Sequence, residues 1–289
     1  MTLNTTDTLT LTTIEDALRR AAAGLRERSE SPRLDAEVLL ANVLGLTRAG
    51  LIARSAQPLQ ERDESAFNAL LTQRLSGTPV AYLTGSREFW SLPLRVSPAV
   101  LVPRPETEIL VEQVLELAPA VPARSLLDVG TGSGAIALAS AKDRPDWTVT
   151  GSDVSPDALA IADSNCRDLK IANVEWLRGS WFEAVPGRRF DFIVSNPPYV
   201  AAGDPLLGRL AAEPLLALSP GVTGLESLQL IVAQAHTHLI DGGWLLLEHG
   251  HDQATAVQAL LRQSGFQSIR TCLDLSGKTR ITLATFTHT

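Results

Sequence analysis

The sequence predicts an α/β protein: a doubly wound, mostly parallel sheet that ends in an antiparallel hairpin, preceded by a small helical bundle. Three observations predict it. Apolar runs of strand length alternate with helical stripes from Pro103 onward, the pattern of parallel strands joined by crossover helices. Only helical periodicity is present between about residue 11 and residue 76. The last two strand runs have no helix between them, only residues 274–279, so they pair antiparallel.

Taken in order, Ile14, Ala17, Leu18, Ala21, Ala22 and Leu25 recur at helical spacing behind Thr13, whose hydroxyl suits an N-cap, with Asp16 in the first turn. A second helix opens at Ser31 with Pro32 in its first position and stops at Gly45. Phe67, Leu70, Leu71 and Leu75 stripe a third, ended by Gly77 and Pro79. Helices this short need one another, so residues 1–76 read as one bundle. Residues 77–102 change character. Runs at 88–96 and 99–102 are short and bulky with Ser97-Pro98 between them, which predicts a linker carrying a hairpin or paired extended segments. Residues 103–289 hold strand runs at 125–129, 148–152, 174–178, 190–195, 244–248, 266–272 and 280–286. Between them Ser155-Pro156-Asp157 opens one helix, and Leu225, Leu228, Ile231, Val232 and Ala235 stripe another.

A chain of 289 residues has room for one large domain or a domain with a smaller attachment. Its 25 Lys and Arg against 32 Asp and Glu give a net charge of −7, which disfavours a broad cationic face for a nucleic-acid backbone. With 45% hydrophobic and 20% charged residues, wholesale disorder is excluded. Two cysteines, Cys166 and Cys272, are too few for a disulfide framework or a Cys-based zinc site and fit a reducing compartment. Residues 1–16 carry no Lys or Arg, unlike a secretory or transit leader. No apolar run approaches the roughly 18 residues that span a bilayer. The expected location is the cytoplasm, with no membrane contact.

Two turns carry chemistry. Gly130-Thr131-Gly132-Ser133-Gly134 joins a buried strand to an apolar helix, where glycines permit a tight turn and let a ligand approach the backbone. Asp153 closes the next strand, the place for a carboxylate that accepts from ribose hydroxyls, so an adenosine-containing ligand is expected. Gly130, Gly132 and Ala135 also satisfy the dinucleotide pattern, which keeps NAD open. Asp128, two residues before the turn, weighs the other way: it would repel a pyrophosphate and attract the ammonium and sulfonium of S-adenosylmethionine. A glycine turn that binds nothing is the plain alternative.

The second turn, Asn196-Pro197-Pro198-Tyr199, follows the buried run 190–195 directly. Two prolines fix the backbone and donate nothing, so the segment presents oxygens at the carboxyl edge of the sheet. The Asn196 amide oxygen and the Pro197 carbonyl can each take one hydrogen of a planar NH₂ group, with the Tyr199 ring on its face. Such a nitrogen is a poor nucleophile; two fixed acceptors orient it and stabilise the positive charge that develops as an N–C bond forms. The plain alternative is a rigid end to a strand.

Other candidates read blandly. His236 and His238 face different ways on a helix, and His249 and His251 follow a strand with no carboxylate-rich partner motif, so no metal is expected. Phe89 and Trp90 read as packing residues, and Glu106 and Glu108 after Arg104 suit a helix N-terminus whatever the function. The loop of about 25 residues after Tyr199 reads as a lid or recognition element.

The string Asp128-x-Gly130-x-Gly132-x-Gly134 resembles the first motif of class I S-adenosylmethionine methyltransferases. Asn196-Pro197-Pro198-Tyr199 resembles the motif of methyltransferases acting on planar amino nitrogens: adenine N6, cytosine N4 and the glutamine N5 of protein release factors. Gly85-Ser86-Arg87-Glu88-Phe89-Trp90-Ser91-Leu92-Pro93-Leu94, Pro103-Arg104-Pro105-Glu106-Thr107-Glu108 and Leu247-Glu248-His249-Gly250 are similar to strings of the HemK family of release factor glutamine methyltransferases. That resemblance covers nearly the whole chain from about residue 11.

The resemblance implies a Rossmann-like methyltransferase sheet. It implies that Gly130, Thr131, Gly132, Ser133 and Gly134 bind S-adenosylmethionine, with Asp153 on its ribose and Trp181 beside its adenine. Asn196 would touch both cofactor and substrate. Asn196, Pro197, Pro198 and Tyr199 would hold the glutamine amide, with Asn196, Pro197 and Tyr199 catalytic. A class 1 peptide chain release factor would supply that glutamine on a Gly-Gly-Gln loop and meet the N-terminal bundle as a second contact. Two positions depart from the family: Ser180 stands where an acid often precedes the residue at Trp181, and Ala212 where the loop usually has an aromatic beside Glu213-Pro214 and Ala217-Leu218. Two other readings stay open, an amino methyltransferase of DNA or RNA and a non-catalytic S-adenosylmethionine-binding interaction protein.

Overall fold

The computed structural model describes residues 12–118 and 123–288. Residues 1–11, which carry most of the reading about a leader and the start of the bundle, lie outside the described residues, as do 119–122 and 289. The chain divides into two compact units, Met1–Thr84 and Gly85–Thr289.

The first unit holds α1 (Ile14–Leu25), α2 (Pro32–Leu44), α3 (Arg48–Ala53), α4 (Glu61–Leu75) and α5 (Val80–Thr84). Thr13 caps α1 by accepting from the Asp16 amide at 3.1 Å, and Ile14, Ala17, Leu18, Ala21 and Leu25 form its buried stripe. Gly45 ends α2 in the left-handed conformation at φ 63°. Helix α2 is buried on more than one side, carrying Asp35 and Glu37 inside with Leu39 and Leu40. Arginines make those carboxylates tolerable: Arg33 and Arg48 each reach Glu37 at 2.8 Å, and Arg74 reaches Asp35 at 2.8 Å. Helix α3 is six residues long, too short to show a period in sequence.

The second unit opens with a hairpin, β1 (Ser86–Phe89) against β2 (Leu92–Arg95). It turns at Trp90-Ser91, both at positive φ (51° and 57°), rather than at Ser97-Pro98 as the sequence suggested. Trp90 is held there by tertiary bonds: its amide donates to Glu108 Oε1 and its indole to Asp143 Oδ2, both at 2.8 Å. Side chains of two other elements thus stabilise a turn for which local sequence has no Asn-Gly signal. Phe89 lies buried in the core.

The strands that follow are β3 (Ser125–Val129), β4 (Thr148–Asp153), β5 (Val174–Arg178), β6 (Phe190–Ser195), β7 (Leu239–Glu248), β8 (Gln267–Leu273) and β9 (Thr279–Phe286). Their helices are α6 (Glu108–Leu117), α7 (Ala135–Asp143), α8 (Pro156–Leu169), α9 (Pro205–Arg209), α10 (Glu226–Ala235) and α11 (Ala254–Gln263). The sheet runs β5-β4-β3-β6-β7-β9-β8, parallel through β7 and antiparallel at β9 and β8. This is the doubly wound sheet with a terminal hairpin that the alternation predicted. Strand β7 begins five residues before the run read from sequence, because Asp241-Gly242-Gly243 interrupts its apolar pattern. His236–His238 form a single 3-10 turn rather than part of a helix.

Successive strand residues serve opposite layers. Leu126, Val194 and Leu246 face one core with α6 and α7, whereas Leu127, Ile193 and Leu245 face the other with α10 and α11. The chain leaves β3 toward β4 and β5, then returns to β6 on the other side of β3, so the carboxyl ends of β3 and β6 flank the switch point where such sheets bind ligands. Among the described residues, no helix is long and apolar enough to cross a membrane.

Candidate active site

A cleft of about 430 Å³ lies at that switch point, within the range of small-molecule and cofactor sites. Gly130, Thr131, Gly132 and Ser133 form one wall, Asp153, Val154 and Ser155 the next, and Gly179, Ser180 and Trp181 a third. Asn196 and Pro198 stand across from the glycine turn, and Leu216, Ala217 and Leu230 close the far side.

The glycine turn follows from its backbone. Gly130, Gly132 and Gly134 sit at φ 74°, 56° and 83°, a region that side chains disfavour. A Cβ on Gly130 or Gly132 would meet nothing within 4 Å, so these two expose bare backbone to open space. Gly134 is different: its Cβ would lie 2.9 Å from the Trp176 ring, and its carbonyl accepts from Leu138 to begin α7. Gly134 therefore packs the turn and does not line the cleft.

Asp128 does not face the cleft either. It is fully buried beneath the turn, with Oδ2 accepting from the Thr131 hydroxyl at 2.6 Å and the Ala137 amide at 3.2 Å. Burial pushes its carboxyl up to about 7. The expectation that it attracts a cation directly is corrected: Asp128 braces the turn from below. Asp153 stands at the surface of the cleft, Oδ2 accepting from the Gly132 amide and Oδ1 from the Ser155 amide, both at 2.9 Å. A carboxylate has about four lone-pair sites, so each oxygen keeps one for a ligand hydroxyl.

Trp181 opens a 3-10 turn, Trp181–Ala184, from φ 51°, unusual for a side chain of its size. Ser180 caps this turn while the Glu183 side chain reaches back to the Ser180 amide. Gly179 permits the approach, since a Cβ there would lie 2.6 Å from the Ala184 amide. The Ser180 hydroxyl is thus engaged in holding Trp181 on the cleft wall.

Behind Asn196 runs a chain of side chains. Asn196 Nδ2 donates to Thr107 Oγ1 at 3.1 Å, the Thr107 hydroxyl donates to Glu248 Oε2 at 2.7 Å, and the Tyr199 hydroxyl donates to Glu248 Oε1 at 3.1 Å. With its NH₂ so engaged, Asn196 offers its amide oxygen as the acceptor side. Ser195, just before it, ties the ends of β6 and β3 by donating to the Val129 carbonyl at 2.6 Å. Burial raises the Glu248 carboxyl to about 7 and holds the Tyr199 phenol far above its usual range. Pro197 and Tyr199 do not line the cleft; Tyr199 turns its hydroxyl inward to Glu248, and its carbonyl accepts from Gln253 at 3.0 Å.

The loop after Tyr199 contains α9 and a short 3-10 turn, Leu215–Ala217. Glu213 anchors it, accepting from the Val102 amide at 3.0 Å and pairing with Arg104. Leu215 and Leu216 stay more than half exposed. His249 is buried, with Nδ1 2.8 Å from the Gly250 carbonyl and Nε2 2.8 Å from the Thr282 hydroxyl. A carbonyl requires a donor, so Nδ1 carries the proton, and desolvation lowers the ring's pKa and keeps it neutral. Among the described residues no group of His, Cys, Asp or Glu is placed to hold a metal ion.

Sequence reading missed Thr107, Glu248 and the segment Ala99, Val100, Leu101 and Pro103 as parts of the site. A threonine between two glutamates reads as a helix start, and only the end position of Glu248 on an apolar strand run hinted at a buried acid.

The residues are similar to known proteins along most of their length. A family described as the PrmC N-terminal domain matches residues 16–85, and one described as the methyltransferase small domain matches residues 105–271. A release factor glutamine methyltransferase of Salmonella typhimurium is 49% identical over 272 residues, covering 93% of this chain and 98% of that protein. The release factor glutamine methyltransferase of Escherichia coli is 46% identical over 271 residues, covering 93% and 97%. Among solved structures, a methyltransferase from Pyrococcus furiosus superimposes with a TM-score of 0.52 at 20% identity, over 78% of this chain and all of that one, a likeness of fold.

Proposed function

Because this chain belongs to the release factor glutamine methyltransferase family, we propose that it transfers a methyl group from S-adenosylmethionine to the side-chain amide nitrogen (N5) of the glutamine in the Gly-Gly-Gln loop of class 1 peptide chain release factors. The observation that carries the reading is the pair of turns across one cleft: an adenosine-ligand turn facing an amide acceptor whose NH₂ is already engaged.

The residues fit the cosubstrate. Bare backbone at Gly130 and Gly132, with Thr131 and Ser133 beside it, suits close approach of a zwitterionic chain; Asp153 retains acceptor capacity for ribose hydroxyls; Trp181 offers a ring face for adenine. When bound, S-adenosylmethionine would supply an electrophilic methyl carbon, leaving as S-adenosylhomocysteine, and the methylated amide nitrogen would release one proton to solvent. What the chain does is hold the nucleophile. Asn196 Oδ1 accepts one amide hydrogen, so the nitrogen lone pair is aimed and the charge it acquires is stabilised, while Pro197, buried outside the cleft lining, fixes the backbone of the turn. Pro198 walls the cleft beside them, and Tyr199 fixes the end of the turn from within. No general base is required in the bond-forming step.

The helical unit at the N-terminus is read as a second contact for the release factor, and the cytoplasm, where such factors work, as the place of action. The alternatives fare less well: a DNA or RNA substrate meets a net charge of −7, and a binding protein without chemistry has no use for the acceptor turn. The test is transfer of labelled methyl to a purified release factor. Wild type labels it; Asn196→Ala loses transfer while still binding S-adenosylmethionine. Wild-type turnover by Asn196→Ala would overturn the mechanism, and label entering duplex DNA or tRNA instead would overturn the substrate.

A further inference from the structure

The two ends of a carboxamide are nearly the same in size and shape, so packing alone does not decide which end of Asn196 faces the cleft. Hydrogen-bond direction does. An ionised carboxylate only accepts. The hydroxyl hydrogen of Thr107 is therefore committed to Glu248 at 2.7 Å, the Thr107 oxygen is left only to accept, and Asn196 must turn its NH₂ toward it at 3.1 Å. The amide oxygen then points away from Thr107, available to a substrate NH₂. The other carboxylate oxygen receives the Tyr199 hydroxyl at 3.1 Å, which pins the far end of the same turn. Glu248 is 1% exposed and Thr107 4%, so bulk water does not replace these bonds.

We propose that Glu248 is a positioning residue: acting through Thr107 it selects the orientation of the Asn196 amide that accepts from the substrate nitrogen, and through Tyr199 it holds the rest of the turn. The inference rests on the reading of Asn196 as the amide acceptor. It carries a consequence for pH. A protonated Glu248 has to donate to one of its two hydroxyl partners; when Thr107 receives that proton, its own hydrogen turns to Asn196 and the amide rotates, placing donors against donors. Burial sets this transition near 7. The groups facing Glu248 are the Tyr199 hydroxyl from the loop after β6, Arg280 of β9, which favours the charged form, and Glu106 from the turn before α6, which opposes it.

The experiment measures kcat, KM for a release factor, and S-adenosylmethionine affinity for wild type, Thr107→Val, Thr107→Ser and Glu248→Gln between about pH 6 and 9. Thr107→Val lowers kcat on the order of a hundredfold with cofactor affinity and melting temperature near wild type, and Thr107→Ser, which restores the hydroxyl, recovers most of the rate. Wild-type kcat falls on the acid side of an apparent pKa near 7, while Glu248→Gln is slow throughout and lacks that limb. Wild-type kcat in Thr107→Val, or a loss that Thr107→Ser does not recover, overturns the inference alone. A wild-type enzyme that labels no release factor glutamine overturns the functional reading, and this inference with it.

Discussion

Asp153 braces the backbone of two segments and faces the cleft at once. Its two oxygens each accept one backbone amide, from Gly132 and Ser155, and so hold the glycine turn against the end of β4 while each keeps a lone pair. Asp153→Ala removes both, and S-adenosylmethionine binding is expected to weaken by tenfold or more, consistent with about 1.5–3 kcal/mol for hydrogen bonds to a charged group. Calorimetric titration checks this; unchanged affinity would show that the ribose is held elsewhere. The place of Asp153 at the end of β4 beside the glycine turn was legible in sequence because it follows from spacing along a strand-turn-helix unit. Thr107 and Glu248 were not, because their meaning depends on three segments far apart in the chain. Asp128 was visible as a conspicuous acid but misplaced, since nothing in its neighbours tells whether a side chain at a strand end points into a cleft or under a turn.

At the scale of elements, the glycine turn and the loop after Tyr199 behave differently. Gly134 sits at φ 83° with the Trp176 ring 2.9 Å and Leu138 3.1 Å from any added Cβ. Gly134→Ala is expected to destabilise by about 2–4 kcal/mol, from left-handed backbone strain plus overpacking, read as a lower urea midpoint at unchanged slope. The same change at Gly132, where no atom lies within 4 Å, carries the strain without the clash and so costs less. Glu213 ties the loop to the segment before α6, so Glu213→Ala should make residues 200–224 more open to limited proteolysis before the sheet unfolds. Strands β3 and β6 were legible because each is a short, mainly apolar run ending at a turn signal. The hairpin turn was not: Trp90 and Ser91 adopt positive φ only because Glu108 and Asp143 hold the tryptophan.

Across the whole molecule, buried acids set how stability follows pH. Asp128 and Glu248 have pKa values raised to about 7, so their contribution is complete below their ordinary values and is lost as pH rises through about 7. Asp191, held low by Arg124 and Ser125, and Glu37, held low by Arg33 and Arg48, contribute above their ordinary values and lose that contribution as pH falls through the acid range. The melting temperature is therefore expected to peak near the ordinary carboxylate value of about 4.5, to decline as pH rises from there to about 7, and to fall again on the acid side in a thermal scan across pH. On the alkaline side of that peak the protein gives up stability to ionise the buried Glu248. The net charge of −7 weighs a protein acceptor over a nucleic-acid one. The most direct measurement places a class 1 release factor, the same factor with the Gly-Gly-Gln glutamine replaced by alanine, duplex DNA and tRNA with the enzyme and methyl-labelled S-adenosylmethionine, and maps the label by peptide mass analysis. Label is expected on the side-chain nitrogen of that one glutamine and none on the replaced factor. Label on a nucleobase, or on the factor lacking the glutamine, would contradict that expectation.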